Sequence, residues 1–143
     1  MIIADTNVVS ELFRPTPDSH VLTWLENSDD VTISTVTIGE IWAGIENLPE
    51  GSRRAGLATL AAELFDEFGD EVEAYDFRAA RVYGRVVAER RRRGRPIGYA
   101  DAQIAAICLA NDCPVATRNV KDFTDLGLTI INPWETTSRG DIG

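Results

Sequence analysis

Four acidic residues, Asp5, Glu40, Asp101 and Asp122, are the side chains of this sequence best placed to do chemistry. Asp5 directly follows the short apolar run Ile2-Ile3-Ala4, and Asp122 comes five residues after Thr117, which closes Pro114-Val115-Ala116-Thr117. Glu40 falls in the first turns of a helix after the β-branched stretch Val31-Thr32-Ile33-Ser34, and Asp101 in the first turn of a helix that starts near Tyr99. Each acid alone has an ordinary explanation. Asp5 would cap the next helix, Glu40 would complete a capping box with Thr37, Asp101 would favour the positive end of its helix, and Asp122 would be a solvated loop acid. Gathered at one edge of a sheet, however, they would raise one another's pKa unless a cation neutralised them. A donor set made only of oxygen suits Mg²⁺ or Mn²⁺ rather than Zn²⁺. The sequence has one histidine, His20, and two cysteines, which leaves little for a His-rich zinc site or a Ser-His-Asp triad.

The elements that must position these acids alternate along the chain. Strands are expected at Ile2-Ile3-Ala4, Val31-Thr32-Ile33-Ser34, Pro114-Val115-Ala116-Thr117 and Leu128-Thr129-Ile130-Ile131, with a short edge strand at Glu71-Val72-Glu73-Ala74-Tyr75. Helices are expected over 6–13, after a cap at Asp18, from Thr35 or Thr37 through Ile45, over 52–68 with Leu57, Leu60, Ala61, Leu64 and Phe68 on one face, over 77–93 with Ala80, Tyr83 and Val87 inward, and over 99–111. Short apolar strands separated by amphipathic helices indicate an α/β domain with a mostly parallel sheet. In such sheets ligands bind beyond the carboxyl ends of the strands, which is where the four acids fall.

The 143 residues fit one domain, expected over 1–134 with a loosely ordered tail at 135–143. A formal net charge of −9 argues against a basic coat for nucleic acid, but the charge is uneven. Residues 63–76 carry seven acids, whereas 78–95 carry eight of the 14 basic residues, all arginines. No apolar run approaches the ~20 residues of a membrane span, and the start lacks the pattern of a secretion signal. A cytoplasmic protein with no membrane partner is therefore expected. Cys108 and Cys113 are read as reduced, Cys108 as a core residue, and His20 as lying on a surface helix. No glycine-rich phosphate loop follows a strand, and Gly94-Arg95-Pro96-Ile97-Gly98 has none before it.

Several motifs resemble one family. Ile3-Ala4-Asp5-Thr6-Asn7 resembles the opening of PIN domains, Ile33-Ser34-Thr35-Val36-Thr37-Ile38-Gly39-Glu40-Ile41 their second motif, and Tyr99-Ala100-Asp101-Ala102-Gln103-Ile104-Ala105 their third. Ala116-Thr117-Arg118-Asn119-Val120-Lys121-Asp122-Phe123 resembles the fourth, and Ile131-Asn132-Pro133-Trp134 closes the domain as in VapC- and FitB-type members. The resemblance spans nearly the whole chain, in order. It implies a three-layer α/β/α domain around a parallel sheet of four to five strands, and a Mg²⁺- or Mn²⁺-dependent endoribonuclease acting as the toxin of a toxin–antitoxin pair. Asp5, Asp101 and Asp122 would hold one or two cations, with Glu40 completing the site or orienting water. Thr6, Asn7, Thr117 and Asn119 would support them. Many relatives carry an acid soon after the Thr-Arg pair where this chain has Asn119, so Asp122 is taken as the fourth acid with Asn119 assisting. Arg118, Arg85 and Arg92 are candidate RNA contacts. The implied partners are an RNA substrate (tRNA, rRNA or mRNA), a VapB- or FitA-like antitoxin covering the acidic pocket, a second copy of the chain in a homodimer within a toxin–antitoxin hetero-oligomer, and promoter DNA reached only through the antitoxin. Two other readings compete. One is a catalytically degenerate PIN domain that only binds RNA or a partner. The other is an aspartyl phosphatase of the haloacid dehalogenase type, in which Asp5 would be the nucleophile; Asn7 stands where that chemistry needs a second Asp.

Overall fold

The computed structural model of the chain describes residues 1–135. Four short strands, β1 (Ile2–Ala4), β2 (Val31–Thr32), β3 (Val115–Ala116) and β4 (Ile130–Ile131), form one sheet in the order β2-β1-β3-β4. All three pairings are parallel, with Ile3 opposite Thr32 and Val115, and Ala116 opposite Ile131. Parallel neighbours need a crossover, and the helices supply it: α1 (Thr6–Glu11), α2 (Ser19–Asn27), α3 (Thr35–Glu46), α4 (Ser52–Phe68), α5 (Phe77–Arg92) and α6 (Tyr99–Ala110).

The strands sort their side chains by strict alternation. Ile3 and Val115 enter a core shared with Ala79 and Val86 of α5 and Ala102, Ile104, Ala105 and Cys108 of α6. Ala4 and Ala116, one residue later, enter a second core with Val8, Val9, Val21, Ile41, Ile45 and Ala61 from α1 to α4. The sheet is thus covered on both faces, as its uninterrupted apolar strands require. β1 lies at the centre with β2 on one side and β3 on the other. The chain leaves β1 toward one edge, and the later strands build the other. Connections therefore diverge at the carboxyl end of β1, and a crevice opens there. Asp5 is the residue at that point.

Several local expectations need correction. Glu71 to Tyr75 is not a strand. A 3-10 turn, Gly69–Glu71, leads into a single parallel bridge between Glu73 and Ser34, held by Glu73 N–H to the Ile33 carbonyl and Thr35 N–H to the Glu73 carbonyl, both 2.9 Å. Alternating acids at the sheet edge give the segment too little apolar surface to extend the ladder. The α3 helix is capped by Ser34, whose hydroxyl accepts from Thr37 N–H at 3.3 Å, so Thr37 and Glu40 form no capping box. Leu60 of α4 is half-exposed rather than part of the buried stripe, where Ala61 is fully buried. In α5 the buried face runs through Ala79, Val86 and Arg90, and Ala80 is exposed. The tail over 136–143 lies outside the described residues. The Asp18 cap of α2 stands, with its carboxylate accepting from His20 N–H at 2.8 Å, and His20 is exposed. Cys108 and Cys113 are free and buried, brought together where α6 ends. There Asp112 adopts φ 51° and Cys113 N–H returns to the Cys108 carbonyl at 3.0 Å, the apolar pairing of a Schellman cap.

Candidate active site

Asp5 is only 3% exposed, and its carboxylate is held at both oxygens. Oδ1 accepts from Thr6 N–H at 2.7 Å, which makes Asp5 the cap of α1. Oδ2 accepts from the Thr117 hydroxyl at 2.8 Å and from the Asn7 carboxamide at 3.2 Å. Thr117 is fully buried where the chain leaves β3, and its hydroxyl oxygen accepts from Asn119 N–H at 3.0 Å and from the Asn7 carboxamide at 3.2 Å. The Asn7 carbonyl then accepts from Arg118 N–H at 3.2 Å. Thr6, Asn7, Thr117 and Asn119 thus form one lattice that ties the exit of β1 to the exit of β3. Among the described residues all the donors to Asp5 are neutral, so its charge is oriented but not cancelled. Asn7 fills the place of a second acid with a donor that cannot shuttle a proton, which removes the basis of the phosphatase reading.

Glu40 comes from α3. Its carboxylate accepts from the Thr6 hydroxyl at 2.6 Å, and that hydroxyl also lies 3.0 Å from the hydroxyl of Thr37. Asp101 occupies the first turn of α6 after Gly98. No donor among the described residues meets its carboxylate. Asp5, Glu40, Asp101, Asn119, Glu11, Arg14, Arg118 and Trp134 share one cleft of about 470 Å³. Asp122 does not line it. It lies in the turn Val120–Asp122 behind Asn119, near enough for its charge to act on Asp5 and Asp101.

The electrostatics follow from this crowding. Burial pushes Asp101 up to about 6, and the negative charges of Asp5, Asp122 and Glu40 add to it, while Arg90 opposes them. Burial also raises Asp5, against the hydrogen bonds from Thr117 and Thr6, with Glu40 and Asp122 adding to the rise. Carboxyls that hold their protons because burial, and then neighbouring like charge, disfavours the ionised form are carboxyls that a cation would relieve. The donors facing the cleft are oxygens, a set that fits Mg²⁺ or Mn²⁺. Among the described residues no three His, Cys, Asp or Glu side chains stand close enough together to hold a metal ion as they are placed. The acids share an open cleft instead.

Three participants carried signals that the motifs did not isolate. Glu11, 5% exposed, accepts from Asp18 N–H at 2.8 Å and lies 3.3 Å from Arg14. It follows Asn7 at helical i,i+4 spacing and so shares its face. Arg90, 3% exposed, donates to the Asp122 carbonyl at 2.5 Å and to the Arg95 carbonyl at 2.8 Å. It thereby clamps the turn carrying Asp122 to α5. Its signal was its place in the run Arg90 to Arg93, which cannot all face one side of a helix. Trp134 carries the guanidinium of Arg118 5.1 Å above its ring. Arg85 lines a different cleft with Val86, Glu89 and Leu126, and Arg92 pairs with Glu89 at 3.0 Å. Neither reaches the acids.

Comparison with known proteins places this geometry. The PIN domain profile matches residues 2–127. The chain belongs to the PIN-domain family. Within it the VapC/FitB type fits best. The plasmid stability protein StbB of Pseudomonas syringae pv. tomato is 41% identical over 94% of this chain and 99% of its own length. The VapC ribonuclease Y4jK of Sinorhizobium fredii is 38% identical with the same coverage. A solved structure of FitAB bound to an IR36 DNA fragment contains a chain that superposes with a TM-score of 0.90 at 30% identity, covering 97% of this chain and 99% of that one. Among the described residues no helix is long and apolar enough to cross a membrane.

Proposed function

We propose that this PIN domain is a divalent-cation-dependent endoribonuclease that acts in the cytosol as the toxin of a toxin–antitoxin pair. The observation that carries the reading is the buried Asp5 at the divergence of the sheet, fixed by Thr6, Asn7 and Thr117, sharing one cleft with Glu40 and Asp101. The ribonuclease name of the Sinorhizobium relative supports the same chemistry.

Asp5, Asp101 and Glu40 would hold the cation, with the Asn119 carbonyl beside them and Asp122 lending charge from behind. A bound Mg²⁺ or Mn²⁺ supplies Lewis acidity toward water and phosphate. The chain's own groups do the rest. Thr117 and Asn7 keep the free lone pairs of Asp5 directed into the cleft. Thr6 holds the Glu40 carboxylate, which lies at the cleft wall where it can orient a water and accept its proton. Thr117 has all its hydrogen bonds inside the protein, so its role is to position Asp5 rather than to touch phosphate. No covalent intermediate is required.

An apolar groove of about 270 Å³ adjoins the acidic cleft, lined by Phe13, Ile41, Ile45, Leu48 and Leu57, with Thr6, Ser10 and Glu40 common to both. This continuity supports an antitoxin segment that lies in the groove and covers the acids. The FitAB neighbour, bound to a DNA fragment, supports an assembly with an antitoxin that binds DNA; in this proposal the promoter is reached only through the antitoxin. A homodimer of this chain completes the proposal.

The test is incubation of purified, antitoxin-free protein with a mixed tRNA and rRNA pool in Mg²⁺, in EDTA, and as Asp5→Asn. Discrete products that need both Mg²⁺ and Asp5 are expected. Folded protein that binds RNA but never cuts it would establish the binding-only alternative.

A further inference from the structure

The rim of the acidic cleft carries a feature that hydrolysis alone does not use. Trp134 is placed rigidly just past β4. Asn132 turns its carboxamide oxygen back to accept from Trp134 N–H at 3.0 Å, and the buried Pro133 between them has its φ fixed by its ring. The indole packs against the core that holds Ala4 and Ala116, at the carboxyl end of the sheet. Above it lies the Arg118 guanidinium, 5.1 Å from the ring centre. The Arg118 backbone is pinned to Asn7, the residue that also holds Asp5. One side chain therefore sets the spacing between Asp5 and the Arg118–Trp134 pair.

Charge makes the pair unusual. Arg14 and Arg118 are the cations lining the cleft, and Arg14 is matched by Glu11 at 3.3 Å. Among the described residues Arg118 has no carboxylate within ion-pair distance and is exposed. A chain of net charge −9 thus keeps an unmatched arginine beside its most acidic cleft and holds it over an aromatic ring. An exposed guanidinium held over an indole leaves its far side open to the cleft. That side can stack a nucleobase, while its N–H edge reaches phosphate oxygens. The cleft of about 470 Å³ lies within the size range of small-ligand sites.

We propose that Arg118 and Trp134 form a stacking subsite for one unpaired nucleobase next to the scissile phosphate. This inference rests on the nuclease reading above. In a duplex both faces of each base are already stacked, and the deep, narrow major groove keeps side chains out. An unpaired base is free to leave its neighbours and cover the guanidinium.

The test measures binding by fluorescence anisotropy in Mg²⁺, using full-length Asp5→Asn protein so that the bound strand survives. The probes are a labelled single-stranded RNA, a set of the same strand with one abasic nucleotide moved along it, and the matching blunt duplex. Single-stranded RNA should bind more tightly than duplex. One abasic register should lose about tenfold or more in affinity. Added to Asp5→Asn, Arg118→Leu should bring the intact strand down to that level and erase the abasic difference, and Trp134→Leu should do the same if it folds. Arg118 is exposed, so its replacement leaves the core intact. Equal binding of intact and abasic strands overturns the proposal. So does an abasic penalty that survives Arg118→Leu, duplex binding as tight as single strand, or no binding of any strand. Cleavage of the intact strand by wild-type protein is scored separately. Cleavage without an abasic penalty sinks only the stacking subsite, and an abasic penalty without cleavage sinks only the nuclease reading.

Discussion

The sequence marks two regions by charge, and the structure treats them in opposite ways. In the acidic cleft, Asp5 and Glu40 are held only by hydroxyl, amide and carboxamide donors, and Asp101 by none among the described residues. In the arginine-rich segment most charges are answered internally. Arg92 and Arg93 share Glu89 at 3.0 Å, Arg95 reaches Asp125 at 3.1 Å, Arg78 donates to the Ala110 carbonyl, and Arg90 is buried against two carbonyls. Density of charge is therefore a poor guide to function here. What separates the two regions is whether the fold compensates the charge or leaves it oriented and unmet. Unmet charge costs stability, and a fold retains that cost where a ligand relieves it.

Removing a cleft acid should split activity from stability most widely. Asp101→Asn is expected to lower RNA cleavage by about 10²-fold or more, measured as initial rate in saturating Mg²⁺. The same change should raise the melting temperature of the metal-free protein by about 2–4 °C. A loss of both would mean that Asp101 is compensated in a way the geometry does not reveal.

Arg90→Met tests the other region at its one buried charge. It leaves the carbonyls of Asp122 and Arg95 without their donor and should cost about 2–3 kcal/mol in denaturant unfolding. It should also weaken cleavage, since the turn behind Asn119 loses its anchor.

The pH dependence of the metal-free protein has a definite sign. The carboxyl of Asp101 is raised to about 6 in the fold from an ordinary value of 3.8. Between those values the folded state binds more protons than the unfolded state. The contribution is present in full below the ordinary value and is lost as pH rises through about 6. Melts from pH 4 to 7 should show a decline that Asp101→Asn flattens. At the small end, Arg85→Ala and Arg92→Ala should each shift stability by less than about 0.5 kcal/mol and cleavage by less than about twofold.

The fold was legible because its signals are local and redundant. Strands, helices and breakers agreed along the chain, and periodicity could place Asp5 at a strand end and Glu40 and Asp101 in the early turns of their helices. Glu71 to Tyr75 was misread because β-like alternation says nothing about whether an edge gains enough burial to pair. In α5 Tyr83 and Val87 pack against the core as expected, but Ala79 is buried in place of Ala80, and Arg90 went unseen because an arginine at a core position looks polar until its carbonyl partners are known. Spacing ranked Asp122 ahead of Asn119, whereas Asn119 lines the cleft and Asp122 sits in the turn Val120–Asp122 outside its lining, a difference that only the turn's geometry reveals. Glu11 and Trp134 gain their meaning from neighbours distant in sequence.

The most direct test of the central claim is the thermal shift produced by Mn²⁺ on metal-free protein, for wild type beside Asp101→Asn. A cation that relieves unmet charge binds the folded state and raises its melting temperature. The account predicts a concentration-dependent rise for wild type that is lost in Asp101→Asn. Equal shifts in the two proteins, or none in wild type, would contradict it.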